Sequence, residues 1–158
     1  MVDNAYVQQR GFHNLYNEDG TIWGFQFCMR TKYYKGLWLS QFRAGDAIVD
    51  GVVYPRETLI WNIQGMDYTR EEMYDRMDQY WQFGDIATVK VPCPGGLSEG
   101  YHTVEIQFGW VNNYNTPLEA EYDGSGLGLM GPYCDLGKGA GHYKLDSHAT
   151  ERKLLLVW

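Results

Sequence analysis

The sequence predicts an all-β protein: a single-domain antiparallel β-sandwich over residues 1–158, with one short helix near residues 70–81. Composition is the first support, because 19 glycines, 13 tyrosines and 6 tryptophans beside only 21% charged residues describe a turn-rich chain with extensive aromatic packing. The second is patterning: apolar residues recur with period two in several short stretches bounded by turn residues. A single stretch switches to helical spacing, and it opens on a capping signal. A chain of 158 residues is also the right size for one domain that buries its own core.

The first strand signal is at residues 22–29, where Trp23, Phe25, Phe27 and Met29 alternate with Gly24, Gln26 and Cys28. It stops at Arg30. Residues 32–35 then set Tyr33 and Tyr34 between Lys32 and Lys35, before Gly36 turns the chain and Leu37, Trp38 and Leu39 resume the apolar character. Large amphipathic rings beside cations on a tip held by strands suit a binding surface. The same rings would equally cap the end of a sandwich core, with the lysines solubilising them.

Ala47, Ile48 and Val49, then Asp50-Gly51, then Val52, Val53 and Tyr54 form a hairpin signal, because Asp-Gly accepts the positive φ angles of a tight primed turn. Pro55 ends it. Thr58, Ile60, Trp61 and Ile63 predict a further strand, broken at Gly65. Thr69, Arg70, Glu71 and Glu72 then form a capping box, and Met73, Met77 and Tyr80 follow at spacings of three and four, with Tyr74 and Trp81 alongside. A helix of about three turns covering one end or face of the sheet is expected. Its acidic residues Glu71, Glu72, Asp75 and Asp78 fit a solvated helix face better than a metal face, since no histidine accompanies them.

The β pattern returns with Ile86, Val89 and Val91, and a Gly- and Pro-rich turn over residues 92–100 leads to a strand in which Val104, Ile106, Phe108 and Trp110 share one face. Residues 112–148 are rich in Gly, Asn and Asp without periodicity, a length of loop that usually carries function. Residues 153–158 read as a final strand.

The chemical motifs are weak. Residues 126–131 match GxGxxG, but Pro132 and Gly137 oppose the helix that a dinucleotide fingerprint requires. His142, Asp146 and His148 have the residue types of metal ligands in a polar loop where such residues recur by chance, and no metal or cofactor is assigned to this chain. His102 opens a strand after a turn and is expected to satisfy a turn carbonyl rather than to act as a base. No serine sits in a nucleophile elbow and no CxxC pair is present; Cys28, Cys93 and Cys134 are expected to be reduced, small apolar residues. No catalytic residue is assigned. A formal charge of -7, with no basic block, argues against nucleic-acid and anionic-membrane partners. Without a secretory pattern or a membrane-length apolar run, the expectation is a soluble cytoplasmic protein.

Two functions fit these residues. One is a free-standing binding module, in which Tyr33, Tyr34, Trp38 and Trp61 stack on a sugar or a phenolic ring. The other is a subunit of a larger enzyme whose aromatic tip docks on a partner.

Several segments, in order, carry a family resemblance: Gly24, Phe25, Gln26 and Phe27; Arg30; residues 33–40; Val49, Asp50 and Gly51; Trp81, Gln82, Phe83 and Gly84; and residues 95–105. Over residues 22–110 and the last strand, the chain resembles the small β subunit of bacterial C-glycoside deglycosidases. The resemblance implies a jelly-roll type of β-sandwich. It also implies a heteromer with an α subunit resembling sugar phosphate isomerases and epimerases, a TIM barrel carrying a divalent metal, typically manganese, and the catalytic base. Such a complex is a carbon–carbon lyase that parts an aromatic, flavonoid-type aglycone from a 3-keto sugar. This chain would be the inactive, scaffolding member, with Arg30, Tyr33, Tyr34, Lys35 and Gly36 the candidates for contact with partner or substrate.

Overall fold

A computed structural model of the chain describes residues 6–30, 36–111, 129–130 and 151–157. It is an all-β sandwich. The strands are β1 (His13–Tyr16), β2 (Ile22–Met29), β3 (Leu37–Trp38), β4 (Phe42–Val49), β5 (Val52–Tyr54), β6 (Ile60–Ile63), β7 (Met66–Tyr68), β8 (Tyr80–Trp81), β9 (Ala87–Pro92), β10 (Gly100–Val111), β11 (Leu129–Met130) and β12 (Glu151–Leu156), with one α-helix, α1 (Arg70–Tyr74). One sheet has the order β1-β2-β9-β6-β7 and the other β11-β10-β4-β5, while β12 also pairs with β10 and β3 pairs with β8 in a separate two-stranded sheet. All pairs are antiparallel.

Period-two alternation places one face of each sheet inside. Phe25, Phe27 and Met29 of β2, Trp61 and Ile63 of β6, and Val89 and Val91 of β9 meet Phe42 and Val49 of β4 and Val104, Ile106 and Phe108 of β10 in a single core. Phe42 is the hub: its ring lies 5.0 Å from Trp61, 5.1 Å from Trp81 and 5.7 Å from Phe108 between centroids. Edge-to-face and offset ring pairs of this kind add to simple burial.

The Asp50-Gly51 hairpin forms as expected between β4 and β5, with φ of 50° at Asp50 and 81° at Gly51. Strand β4 begins five residues before the sequence pattern locates it, because a bulge opposite Gln107 shifts the register between the Ile106–Ala47 and Phe108–Ala44 pairs. The inward set therefore runs Phe42, Ala44, Ala47, Val49, and the strict alternation is lost. After β9 the chain crosses between the sheets over residues 93–99. Buried Asn14 of β1 holds that crossing, its amide donating to the Leu97 carbonyl and its oxygen accepting the Leu97 N–H, both at 2.9 Å.

The capping box at Thr69 is present: its hydroxyl accepts the Glu72 N–H at 3.2 Å, and the Glu72 carboxylate accepts the Thr69 N–H at 3.3 Å. The helix it starts is shorter than three turns. It ends at Tyr74, because the next carbonyls are used by the neighbouring chain: Ser40 N–H donates to Arg76 and Leu39 N–H to Gln79. Tyr80 and Trp81, which have helical spacing in the sequence, instead form β8. Guanidiniums of Arg43 and Arg70 lie 4.9 Å and 5.2 Å from the Tyr74 ring and pin α1 beside β4.

Candidate functional site

The site begins where β2 leaves the first sheet. Met29 pairs with Ala87, and the Arg30 N–H donates to the Tyr6 carbonyl at 3.0 Å, so the chain is fixed up to the residue that opens the tip. Tyr33, Tyr34 and Lys35 lie outside the described residues, as do Lys32 and the loop around His142, Asp146 and His148.

The chain is held again at Gly36. This residue lies against the Tyr80 ring, and a Cβ built on it would come within 2.6 Å of that ring as well as striking the Trp81 carbonyl. Glycine is required there by close approach of two segments. Leu37 then pairs with Trp81 and Trp38 with Tyr80, their rings 5.0 Å apart at 68°. Gln41 closes the base by accepting the Trp38 N–H at 3.0 Å. The resumption of apolar character after Gly36 thus marks a separate two-stranded ribbon rather than a return into the sheet of β2.

Two neighbouring turns complete this end of the sandwich. The Gln64 amide donates to the Tyr80 carbonyl at 3.0 Å and to the Asp85 carboxylate at 3.3 Å, and the Trp81 indole donates to the Asp85 carbonyl at 2.9 Å. These bonds tie the turn between β6 and β7 to the turn between β8 and β9. On these turns stand three large apolar side chains open to solvent: Met66 (59% exposed), Phe83 (61%) and Ile86 (55%). A rigid end that leaves such side chains outside is suited to contact with another surface.

The stacking set read from the sequence is divided by the structure. Trp38 is half-buried at the base of the tip, but Trp61 is fully buried against Phe42 and cannot meet a ligand. Trp61 sits on the inward parity of β6, and an aromatic on that parity belongs to the core. In residues 126–131, Leu129 and Met130 form β11 against Trp110 and Val111, so the helix that a dinucleotide fingerprint needs does not start there. Among the described residues no group of three His, Cys, Asp or Glu could hold a metal ion, Cys28 and Cys93 are free thiols, and no helix is long and apolar enough to cross a membrane. His102 does satisfy a turn carbonyl, that of Ser98 at 2.7 Å, and it also meets the Asp50 carboxylate. Proximity of Asp50 had no signal in sequence spacing.

A family model described as C-glycoside deglycosidase beta subunit matches residues 2–114. The chain is 33% identical over 159 aligned residues, 99% of its own length and all of the relative's, to a protein of Eubacterium cellulosolvens named C-glycoside deglycosidase beta subunit. It is 32% identical over 69 residues, 44% of its length and 52% of the relative's, to an Arthrobacter globiformis protein of the same name.

Proposed function

Because the chain belongs to the C-glycoside deglycosidase beta subunit family, we propose that it is the noncatalytic, site-shaping subunit of a cytoplasmic carbon–carbon lyase. Its complex would cleave the bond between an aromatic, flavonoid-type aglycone and a 3-keto sugar. The catalytic α subunit would be a TIM barrel resembling sugar phosphate isomerases, holding a divalent metal, manganese being the expected ion. A ketone acidifies the neighbouring C–H, a metal in that subunit would stabilise the resulting enediolate, and the phenolic ring departs as a carbon leaving group. None of these roles is given to a residue of this chain.

Its own contribution is a docking end. The single observation that supports this reading is that the residue 31–35 segment springs from two fixed points, Arg30 and Gly36, beside the exposed Met66, Phe83 and Ile86. Anchor residues that are already fixed lose little further conformational freedom on association. Arg30, Tyr33, Tyr34, Lys35 and Gly36 are therefore the contacts to test.

The experiment is co-expression with a candidate TIM-barrel α subunit, followed by size-exclusion chromatography and assay on a 3-keto C-glucoside. A hetero-complex with activity is expected, and this chain alone should be inactive; turnover by the isolated chain would sink the scaffold assignment. Replacing Tyr33 and Tyr34 together by Ala should weaken assembly or activity at least about tenfold, the loss expected of truncating two interface aromatics. Full assembly and activity in that variant would return the tip to a role in capping the core.

A further inference from the structure

The N-terminal segment runs beside β2 twice. Val7 bridges Met29, and the Gln8 N–H donates to the Cys28 carbonyl at 2.9 Å; farther along, His13 pairs with Gln26. Between these two pairs the register slips by three residues, so the chain must bulge out of the ladder. Gly11 makes the bend at φ 82°, and its carbonyl accepts from the Gln26 amide at 3.0 Å. Phe12 then anchors the far side in the core, edge-on to Phe25 and His102. A bulge tied at both ends cannot collapse onto the sheet.

Beneath it is a recess of about 300 Å³ lined by Gln8, Gln9, Arg10, Gly11, Cys28 and Ile86. That volume is at the lower bound of ligand pockets, which run from about 300 to 1,000 Å³, and suits a one-ring molecule rather than a glycoside. Its chemistry is unsymmetrical. Ile86 and Cys28 provide an apolar and polarisable wall, with the Cys28 sulfur 3.6 Å from the Thr88 hydroxyl. Arg10 supplies a cation, and no acid is among the described residues that line the recess. Gln9 and Arg10 make no hydrogen bond or ion pair with the described residues, so their donors remain available. In a chain of net charge -7, a cation with no carboxylate among the described lining residues is a local exception in an anion-repelling field.

We propose that the recess between the residue 8–11 bulge and the Cys28–Ile86 wall binds a small aromatic carboxylate, its ring against Ile86 and Cys28 and its carboxylate on Arg10 and Gln9. A planar carboxylate is the anion that a guanidinium recognises best, and a single ring fills the apolar part. This site goes beyond the docking function and needs no partner.

The test uses benzoate as the probe, titrated into the ¹⁵N-labelled full chain and followed through amide chemical shifts. Saturable changes should cluster at residues 8–11, Cys28 and Ile86, with a dissociation constant on the order of 1 mM for so small a ligand. Arg10→Gln should weaken benzoate about tenfold while leaving the spectrum otherwise intact, and should not alter the weaker binding of neutral benzyl alcohol. Ile86→Ser should weaken both probes. The site is overturned if no saturable change appears up to about 20 mM benzoate, if the changes fall elsewhere, or if Arg10→Gln binds benzoate as well as the parent. A chain that assembles with its catalytic subunit yet ignores benzoate overturns this site alone. One that binds benzoate but assembles with nothing overturns the docking function alone.

Discussion

The imidazole of His102 lies 2.5 Å from the carboxylate of Asp50, with Nδ1 facing that carboxylate and Nε2 facing the Ser98 carbonyl at 2.7 Å. Both ring nitrogens meet acceptors, and only the imidazolium can donate to both. Asp50 is further engaged by the Thr103 N–H at 2.8 Å, so one carboxylate at the β4–β5 turn clips the start of β10.

This clip makes stability depend on pH. Burial of His102, only 8% exposed, opposes its charge, but the Ser98 carbonyl and the Asp50 carboxylate together outweigh burial and raise its pKa above the ordinary 6.5. The hydrogen bonds from His102 and Thr103 lower the Asp50 pKa below 3.8. The His102 contribution is therefore complete below pH 6.5 and is lost as pH rises through the raised value; the Asp50 contribution is complete above 3.8 and is lost as pH falls through the lowered one. Thermal melts of the parent and His102→Gln should differ most between the carboxylate and imidazole ranges and converge at alkaline pH. A difference of about 1–2 kcal/mol is expected at pH 5.5, after allowance for the half-exposed Asp50. A pH-independent difference would contradict the charged clip.

Phe42 joins both sheets and the β3–β8 ribbon through Trp61, Trp81 and Phe108. Phe42→Ala should cost about 3–5 kcal/mol in urea unfolding, a large share of the stability of an ordinary domain. Phe42→Leu should cost about half as much, because it keeps most of the buried volume. Equal losses would mean that the lost ring contacts, and not the hole, carry the cost.

Gly36 separates the tip from the ribbon by allowing the Tyr80 ring to lie against the backbone. Gly36→Ala should destabilise by about 1–3 kcal/mol through overpacking. Its signature should be local: increased amide exchange at Trp38 and Tyr80, with the β2–β9 pairing protected as before. Pairing Gly36→Ala with Tyr80→Ala should recover part of the loss, since the clashing ring is then gone. No recovery would place the clash at the Trp81 carbonyl alone.

Strands β2, β6, β9, β10 and β12 and the β4–β5 hairpin were legible because each carries a local signal: period-two apolar residues, or Asp-Gly between them. β1 and β8 carried no such signal. In β1 the inward residue is Asn14, whose polarity is answered by Leu97 from 83 residues away in sequence, so no apolar stripe announces a strand. Tyr80 and Trp81 have helical spacing behind the Thr69 box, but pairing with Leu37 and Trp38 outweighs a helix that has only Met73 buried. The candidate contacts at Arg30 and Gly36 were visible as the ends of an apolar pattern. The neighbouring Met66, Phe83 and Ile86 were not, because exposure on a common end is a property of two turns that are distant in sequence.

From the chain alone came the all-β class, the site of the helix start, the end of β2 before Arg30 and the resemblance in its ordered segments, all of which depend on residues near one another in sequence. Tertiary structure decided where the helix ends, that Trp61 belongs to the core, that His102 is clipped by Asp50 and that the residue 8–11 bulge stands over Cys28. Each of those depends on a backbone group or side chain brought from a distant strand. Local propensity is worth only tenths of a kcal/mol per residue, and such contacts override it.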